Sequence, residues 1–404
     1  MTSPSPRVRA TEHYLDHAAT TPMLPGVLDA WIQTTQLLSQ RPGNPAALHG
    51  GGRGARKLLE DARERVATCL GAERAEVVFT SGATESDALA VMGGARGAHS
   101  RTGRRRVLVS GVEHDAVLEQ STIADAAGLA CEVLPISAYG VTDLASLEDA
   151  QEWLDIALIS VVYVASEIGT IQPVESLVKL RAEALQTLIH TDAAQAISTV
   201  DVRFGALGVD LMSIGGHKVG GPVGTGVLLA KRGTPLITDR PGGGHERGIR
   251  SGTPDVAGAV ALATALEYTV EHREMAHHHA AALRDHLLHR LAQTCAGLVT
   301  VTVPPQYAVP TIIHLSLPTR HPEALLMSMD ADGVHVSAGS ACHAGVTRPS
   351  AVVMRMGRTA DQALGVLRIS TGKDTTIADI DAFVDALPRA LNAGQALDRL
   401  EGQR

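Results

Sequence analysis

The sequence predicts an α/β protein built on a mainly parallel sheet, with a smaller domain towards its C-terminal end. Short β-rich runs alternate with residues at helical spacing: AEVVFT (75–80), for example, leads through a turn into SGATESDALAVMGGA (81–95). A second observation is DIALISVVYVA (155–165), which is apolar at almost every position, as expected for a strand buried on both faces of a sheet. This alternation favours parallel pairing of the strands.

The elements follow one another in a regular order. An amphipathic helix is predicted over 54–70, where apolar residues recur at helical spacing and charged residues occupy the opposite face. Further β-rich runs, most of them followed by a turn or a helical stretch, are RRVLVS (105–110), CEVLPI (131–136), LQTLIHTD (185–192), VDLMSIGGHK (209–218) and TGVLLAKR (225–232). Their spacing fits repeated strand–helix units.

The pattern changes after about residue 255. Residues 255–293 form one long helical stretch with at most one break, and a final helix is predicted from about Thr376. We therefore expect a large domain over 25–262 and a smaller C-terminal domain over 263–404. An N-terminal segment, 1–24, is expected to pack with the smaller domain.

Composition and charge disfavour several classes of protein. The chain has 404 residues and a net charge of −8, which opposes direct binding of nucleic acid. It has four cysteines and no C-x-x-C pair, so a reducing, cytoplasmic setting is expected rather than a disulfide framework. Neither a signal peptide nor a membrane-spanning helix is expected, because no apolar run reaches the roughly 18 residues that a membrane helix needs.

Chemically distinctive residues follow several of the predicted strands. They are the turn FTSGATES (79–86), His114, Asp192 and Lys218. In open parallel sheets, ligands bind at the carboxyl ends of the strands. A turn that opens a helix can bind phosphate, an imidazole can stack on a ring, a buried acid can pair with a ring nitrogen, and a lysine can form a Schiff base. Together these groups match the needs of a phosphorylated pyridine aldehyde.

Each of these residues also has an ordinary alternative interpretation. Lys218 could be a surface lysine, and Asp192 could be a helix N-cap before AAQAI (193–197). The turn at 79–86 could be a simple strand–helix connection, and His114 could be a capping or core histidine. The functional interpretation depends on the four occurring together, in this order.

Several sequence blocks resemble the pyridoxal-phosphate-dependent cysteine desulfurases of the NifS/IscS-like group. The matching blocks are YLDHAATTP (14–22), GNPAALH (43–49), FTSGATES (79–86), EH (113–114), TDAAQ (191–195), GGHKVGGPVGTG (215–226), GGGHERGIRSGT (242–253), GSAC (339–342) and LRIS (367–370). They occur in the family's order. The resemblance implies a fold-type-I enzyme with a mainly parallel seven-stranded sheet in its large domain and a smaller α+β C-terminal domain.

The resemblance implies roles around the cofactor ring of pyridoxal 5'-phosphate. Lys218 would hold the cofactor covalently and later move the substrate's Cα proton. His114 would stack on the ring and shuttle a proton, and Asp192 would pair with the ring nitrogen. Gln195 would bond the phenolic oxygen, to which Ser166 is also in a position to donate.

The resemblance also implies ligands for the phosphate group. Ala83, Thr84 and His217 would bind it within one subunit. Thr253 would reach the phosphate of the neighbouring subunit, so a homodimer is implied. One family contact is in doubt, because Gly215 stands where a serine is often found two residues before the histidine.

The resemblance implies that three further residues serve in substrate binding and sulfur transfer. Arg368 would bind the α-carboxylate of L-cysteine through its planar guanidinium, with Asn44 nearby. Cys342 would be the nucleophile that takes the sulfur as a persulfide, because a thiolate attacks sulfur readily. The stretch from Ser337 to about Arg358 resembles in length the mobile-loop group of the family. The other three cysteines are interpreted as packing residues: Cys69, Cys131 and Cys295.

Two further departures from the family pattern concern the site. Ala165 and Ser166 stand where the family commonly has two asparagines, and Ser166 is shorter than an asparagine. His343 follows Cys342, where a small hydroxyl residue is common in the family. A protonated His343 could lower the pKa of the Cys342 thiol, and a neutral one could bind a metal. The alternative is a solvent-facing loop histidine.

The histidine-rich stretch HREMAHHHAAALRDHLLH (272–289) raises the question of a metal site. His278 and His279 are adjacent, while His286 and His289 lie further along, and no acidic or cysteine residue is spaced to complete a ligand set. We interpret this stretch as a solvated helix face and expect no metal site.

The predicted function is conversion of L-cysteine to L-alanine, with the sulfur delivered through Cys342 to an acceptor protein. Iron–sulfur, tRNA thiolation, DNA phosphorothioation and sulfur natural-product pathways are all compatible with this chemistry. One alternative is another lyase or aminotransferase of the same fold, such as a selenocysteine lyase. A second is a weakly active scaffold that binds partners, an interpretation that the change at Ala165 and Ser166 leaves open.

Overall fold

The computed structural model describes residues 12–181, 186–339 and 348–401. Its α-helices are α1 (Pro25–Gln40), α2 (Gly50–Leu70), α3 (Ala83–Ala88), α4 (Gly94–Thr102), α5 (Asp115–Leu118), α6 (Ser121–Ala124), α7 (Val174–Leu180), α8 (Phe204–Leu207), α9 (Val256–Glu271), α10 (Arg273–Thr294), α11 (Pro322–Ala331), α12 (Ala351–Arg355), α13 (Ala360–Leu364) and α14 (Ile377–Glu401). Its strands are β1 (His13–Tyr14), β2 (Val77–Thr80), β3 (Arg106–Ser110), β4 (Ala130–Leu134), β5 (Ile156–Ser160), β6 (Leu188–Asp192), β7 (Leu211–Gly215), β8 (Gly226–Ala230), β9 (Thr300–Val301), β10 (Ile312–Ser316), β11 (Val334–His335) and β12 (Val366–Ser370).

The chain divides into two compact units. The large unit comprises Thr20–Ser166 and Thr170–Met275. The small unit comprises Met1–Ala19, Glu167–Gly169 and Ala276–Arg404, as far as these residues are described. The domain limits expected from the sequence, at residues 24 and 262, stay predictions.

A seven-stranded sheet forms the centre of the large unit. Its strand order is β2-β8-β7-β6-β5-β3-β4, and the five strands from β7 to β4 are parallel. Strand β8 runs antiparallel to both β2 and β7. Every residue of β5 is buried, which agrees with the apolar run from which that strand was predicted. The predicted mainly parallel, seven-stranded sheet is confirmed.

The small unit has an α+β structure, as predicted. Strands β12, β10 and β9 form an antiparallel sheet, and β1 pairs in parallel with β11. Its core contains aliphatic and aromatic side chains from these strands and from α10, α11 and α14, among them Leu287, Leu325, Leu367 and Phe383. Burial of such side chains holds the helices on the sheet.

Helix boundaries follow local sequence signals. The long helical stretch breaks once, at His272, whose backbone angles of φ −101° and ψ 7° end α9 before α10 begins. The final helix begins at Ile377, and Thr376 caps it by accepting a hydrogen bond from the Asp379 N–H at 3.3 Å. Within the described ranges, the structure has no helix that is both long and apolar enough to cross a membrane.

Candidate active site

The turn after β2 places the predicted phosphate ligands at the start of a helix. Ala83 and Thr84 are the first residues of α3, which continues through a π-helical turn at Leu89–Gly93 into α4. Thr84 is exposed. A hydrogen bond of 2.8 Å between the hydroxyls of Thr80 and Ser86 links the end of β2 to α3 and so stabilises the turn. An exposed helix start of this kind suits an anionic group.

Lys218 ends a short 3₁₀ turn, Gly216–Lys218, that directly follows β7. Gly215 lies beside the phosphate turn: a Cβ atom on it would be 3.3 Å from the Ala83 Cβ and 3.7 Å from the Lys218 Cγ. Ala83 and Lys218 therefore approach the same point from two elements. A serine at position 215 would direct its side chain into this narrow space.

His217 is held in place by two threonines of the YLDHAATTP block. Its backbone carbonyl accepts hydrogen bonds from the Thr21 N–H at 3.0 Å and the Thr21 hydroxyl at 2.7 Å. Its Nδ1 atom lies 3.1 Å from the Thr20 Oγ1. Burial, and then the charge of Lys218, lower the pKa of His217. A neutral imidazole with its orientation fixed in this way can offer an N–H to a ligand.

Asp192 ends β6 and is buried. Its Oδ1 atom accepts a hydrogen bond from the Ala194 N–H at 2.8 Å. Burial raises the pKa of Asp192, whereas this hydrogen bond and the charges of His114 and Lys218 lower it. Because His114 and Lys218 both act electrostatically on this carboxylate, the three side chains predicted from separate motifs belong to one site.

His114 combines a fixed orientation with exposure of its ring. Its Nδ1 atom accepts a hydrogen bond of 3.0 Å from the Ala116 N–H at the start of α5, so a proton on the neutral ring sits on Nε2. The residue is exposed in the described chain. An oriented ring with an open face suits stacking on a planar ligand.

A buried polar network that sequence analysis missed lies beside Asp192. Ser160 Oγ donates to Glu113 Oε1 at 3.1 Å, and His190 Nδ1 lies 2.9 Å from the same hydroxyl. His190 Nε2 lies 2.9 Å from Ser213 Oγ and 3.6 Å from Asp87 Oδ1. Because the Ser160 hydroxyl donates its proton to Glu113, its oxygen accepts from the His190 Nδ1–H, and the neutral His190 ring accepts at Nε2. Ser213 pairs with Asp192 across the β6–β7 ladder, which links the network to the site.

Burial keeps this network largely uncharged. It raises the pKa of Glu113 to about 8, and the negative charge of Asp192 adds to the shift. It also raises the pKa of Asp87 well above the usual range, again with help from Asp192. The pKa of His190 is lowered to about 3 because the ring is fully buried. Asp87 and Glu113 therefore hold protons at neutral pH, and His190 is neutral.

The remaining predicted ligands of the large unit lie on turns and loops. Gln195 and Ser166 are both half-buried, in the segments that follow β6 and β5. Asn44 and Thr253 are exposed, and the Asn44 Nδ2 lies 3.5 Å from the Thr253 Oγ1. Asn44 Oδ1 also accepts a hydrogen bond from the Ala46 N–H at 2.8 Å, which fixes the amide. The structure thus brings together two residues that were predicted from distant motifs.

Arg368, the predicted carboxylate ligand, belongs to the small unit. It lies on β12, is buried, and donates a hydrogen bond of 2.8 Å to Asp16. Its backbone exchanges two hydrogen bonds with Ser337, of 3.2 and 2.7 Å. The guanidinium is therefore fixed on a strand, as recognition of a carboxylate requires.

The cysteines divide into two groups. Cys342, the predicted nucleophile, and the neighbouring His343 lie outside the described residues. Burial raises the pKa of Cys69 to about 11 and also raises the pKa values of Cys131 and Cys295. These three thiols are therefore poor nucleophiles at neutral pH, in line with the packing roles predicted for them.

The histidine-rich stretch is less solvated than predicted. His286 Nε2 lies 2.8 Å from Asp381 Oδ1, and His279 Nε2 lies 2.8 Å from the Thr375 carbonyl. Both histidines are half-buried, so the prediction of a solvated face is wrong for them; the acid that pairs with His286 comes from α14, far along the chain. His278 and His289 are exposed. In the part of the chain that is described, no three histidine, cysteine or acidic residues cluster to hold a metal ion.

Comparisons with known proteins show which proteins this chain resembles as a whole. The model of the aminotransferase class-V family matches residues 13–383. An IscS-like cysteine desulfurase of Mycobacterium tuberculosis is 40% identical over 383 residues, which cover 94% of this chain and 96% of the relative. A solved NifS-like protein superposes with a TM-score of 0.85 at 32% identity, covering 95% of this chain and all of that one. A structure described as SspA in complex with cysteine superposes with a TM-score of 0.75 at 29% identity, and the match covers 89% of this chain and 98% of that one.

Proposed function

This chain belongs to the aminotransferase class-V family, and on that premise we propose that it is a cysteine desulfurase that converts L-cysteine to L-alanine. The observation that carries the proposal is the position of the buried Asp192 carboxylate at the end of β6, beside strand β7, which leads directly into the turn of Lys218. The charges of Lys218 and His114 both act on this carboxylate. A structural neighbour with bound cysteine supports the substrate.

The residues of the large unit fit pyridoxal 5'-phosphate. Asp192 is a buried carboxylate: burial raises its pKa, and the positive charges of His114 and Lys218 oppose that shift. A protonated ring nitrogen would supply a further positive partner for this carboxylate. The open ring of His114 suits a planar ligand, and the exposed start of α3 suits a phosphate. When bound, the cofactor supplies a carbonyl carbon for amines and a ring that accepts electrons.

Each side chain has a separate task in this proposal. Lys218 would bind the cofactor through its amine and carry the proton to and from the substrate Cα. Gln195 and Ser166 would bond the phenolic oxygen. Thr84 and His217 would bind the phosphate, together with the backbone of Ala83. These assignments rest on the matching motifs and on the positions described above.

Substrate binding and sulfur transfer complete the reaction. Arg368 would hold the α-carboxylate of L-cysteine, and Asn44 would assist. The Cys342 thiolate would form an S–S bond to the substrate sulfur while the substrate Cβ–S bond breaks. The carbon keeps the electron pair and takes up a proton, so it becomes the methyl group of alanine. The sulfur remains on Cys342 as a persulfide, ready for an acceptor protein.

A homodimer is part of the proposal. Thr253 is exposed, and in a dimer it would reach the phosphate of the neighbouring subunit. Helix α1 supports an interface, because its apolar side chains Leu28, Trp31 and Ile32 are each 37–42% exposed. The three described cysteines are free thiols, one buried and two half-buried, and this supports a reducing, cytoplasmic setting.

Cysteine turnover by wild type, Cys342→Ala and Lys218→Ala tests this function. Wild type should form alanine from L-cysteine, with sulfide released by a reductant. Cys342→Ala should keep the visible absorption band of the bound cofactor but form no alanine, and Lys218→Ala should lose the native band. If Cys342→Ala forms alanine at the wild-type rate, Cys342 is not the sulfur acceptor, and a lyase such as a selenocysteine lyase becomes the better description.

A further inference from the structure

The predicted substrate ligand Arg368 already has a carboxylate partner within the small unit. Its Nη2 atom donates a hydrogen bond of 2.8 Å to Asp16 Oδ1. The two side chains are 9% and 23% exposed, so the ion pair is largely shielded from water. In such surroundings, charges attract or repel one another more strongly than they do at an open surface. The charge of Asp16 therefore acts strongly on any anion that binds to Arg368.

Main-chain hydrogen bonds fix Asp16 beside this guanidinium. The Leu15 N–H donates to a carbonyl of β11 at 2.9 Å, and the Leu15 carbonyl accepts from the Ser370 N–H of β12 at 2.8 Å. On the other side of Asp16, the Ala18 N–H donates to the Ser370 hydroxyl at 2.8 Å. Leu15 is itself fully buried in the core of the small unit. The main chain of Asp16 is therefore held next to β12, the strand that carries Arg368.

The neighbour of Arg368 on the next strand carries no charge. His314 on β10 lies directly opposite Arg368 in the antiparallel ladder, and its Nδ1 atom lies 2.8 Å from Thr302 Oγ1. Burial, and then the positive charge of Arg368, lower the pKa of His314 to about 3, so the ring is neutral at neutral pH. Acids nearby include Asp16, which contacts the guanidinium directly, and Glu167, whose Oε1 lies 3.9 Å from His314 Nε2. The charge of Arg368 is therefore balanced by acids and not by His314.

A guanidinium has enough donors for Asp16 and a substrate carboxylate together. It has five N–H groups, of which the bond to Asp16 uses one, and a carboxylate binds best through two parallel bonds. Two negative charges then lie within a few ångströms of each other on one cation, and they repel one another. In the unbound protein, Asp16 also compensates the charge of Arg368, so an incoming carboxylate gains less than it would from an unpaired buried cation. Both effects lower the affinity for a carboxylate.

We propose that Asp16 competes with the α-carboxylate of a bound amino acid for the Arg368 guanidinium and so keeps the affinity for amino acids low. The inference rests on the proposed function, because it takes Arg368 as the ligand of the substrate carboxylate. Substrate and product carry the same α-carboxylate, since the reaction changes only the side chain. The competition therefore weakens the binding of both and favours the release of alanine.

The test measures the binding of an amino acid without turnover. Holoenzyme is titrated with L-alanine, the proposed product, and the change in the visible band of the cofactor gives the half-saturating concentration. Asp16→Asn keeps an oxygen that can accept from Arg368 but removes the charge. The half-saturating concentration should fall about tenfold or more, because a repulsion between two charges a few ångströms apart is removed. Ethylamine, which is alanine without the carboxylate, should bind the variant and wild type equally.

Matched variants separate this effect from general changes in the small unit. Asp385→Asn removes another carboxylate, which contacts Arg290 at the same distance of 2.8 Å, and should leave the value for alanine unchanged. Arg368→Ala should raise the value for alanine about tenfold or more and leave the value for ethylamine unchanged, because it removes the proposed carboxylate ligand. If Asp16→Asn does not fold, Asp16→Ser is titrated in the same way, since serine also removes the charge and keeps an acceptor oxygen.

Three results would overturn the inference and leave the proposed function intact. An unchanged value for alanine in Asp16→Asn would show that Asp16 does not compete, and a higher value would show that it orients the guanidinium for the substrate instead. An equal fall for alanine and ethylamine would show that the effect does not act through the carboxylate. If Arg368→Ala binds alanine as wild type does, Arg368 is not the carboxylate ligand, and that part of the proposed function fails together with this inference.

Discussion

Two buried glutamates of the large unit, Glu113 and Glu246, lie in opposite electrostatic surroundings. Glu246 accepts two hydrogen bonds of 2.7 Å from the Arg63 guanidinium and one of 2.9 Å from the Phe79 N–H. Among the described residues, Glu113 accepts hydrogen bonds from neutral donors, including the Ser160 hydroxyl at 3.1 Å and the Val162 N–H at 2.8 Å. Both side chains are almost completely buried.

The difference shows that burial alone does not determine the charge of a glutamate. With Arg63 beside it, Glu246 forms a bidentate ion pair that fixes the start of the ERGIRSGT segment (246–253). Without a cation, Glu113 keeps its proton up to a pKa of about 8. The first arrangement holds a loop in place, and the second places a neutral acid in the network beside Asp192.

The largest expected effect comes from breaking the ion pair. Arg63→Ala leaves Glu246 as a buried charge without its cation, and we expect the free energy of unfolding to fall by about 3–5 kcal/mol. Urea denaturation at neutral pH measures this change. Lys57→Ala is the matched control: it removes an exposed ion pair with Asp61 and should cost at most about 1 kcal/mol. Equal losses in the two variants would contradict the comparison.

The second prediction concerns the pH dependence of stability that Glu113 introduces. Its folded-state pKa of about 8 lies above the ordinary value of 4.5, so the folded chain keeps a proton that the unfolded chain loses. The stability from Glu113 is therefore complete below pH 4.5 and is lost as the pH rises towards 8. Over this window, wild type should lose up to about 1.4 kcal/mol per pH unit relative to Glu113→Gln.

Urea unfolding of wild type and Glu113→Gln at pH 5, 6, 7 and 8 measures this slope. Glutamine resembles the protonated acid in shape and cannot ionise, so every other titrating group is shared by the two proteins. Curves of unfolding free energy that stay parallel from pH 5 to 8 would show that Glu113 is ionised in the folded chain, contrary to the environment described here.

Local sequence patterns predicted much of the fold and of the candidate site. An apolar run such as 155–165 is typical of a strand buried on both faces, and β5 is indeed buried throughout. Asp192, Lys218 and His114 were predicted as site residues because of their positions after β-rich runs. Asp192 ends the run that forms β6, and Lys218 and His114 follow β7 and β3 by short turns. In a parallel sheet, the residues that follow the strands lie at the same edge of the sheet. Their positions in the sequence were therefore enough to predict that these three side chains lie near one another.

Contacts between distant segments could not be predicted in this way. Glu167 and Ser350 are 183 residues apart, and neither belongs to a pattern that indicates the other. His190 lies inside a strand whose neighbours determine its burial, so its neutral state depends on Ser160 and Ser213 from adjacent strands. His286 was assigned to a solvated face for the same reason: its partner, Asp381, lies 95 residues away.

The smallest effect is expected from Ser160→Ala, which tests whether hydrogen bonding moderates the effect of burial on Glu113. Ser160 donates to Glu113 and thereby lowers its pKa, against the larger effect of burial. Loss of the hydroxyl should cost about 1–3 kcal/mol, because His190 Nδ1 also loses its partner. The variant should also raise the pKa of Glu113, so that the loss of unfolding free energy with rising pH continues above pH 8. Ser213→Ala, at the other end of the His190 ring, should cost a similar amount without moving the window. If both variants move it equally, the pKa of Glu113 reflects the network as a whole rather than the Ser160 hydrogen bond.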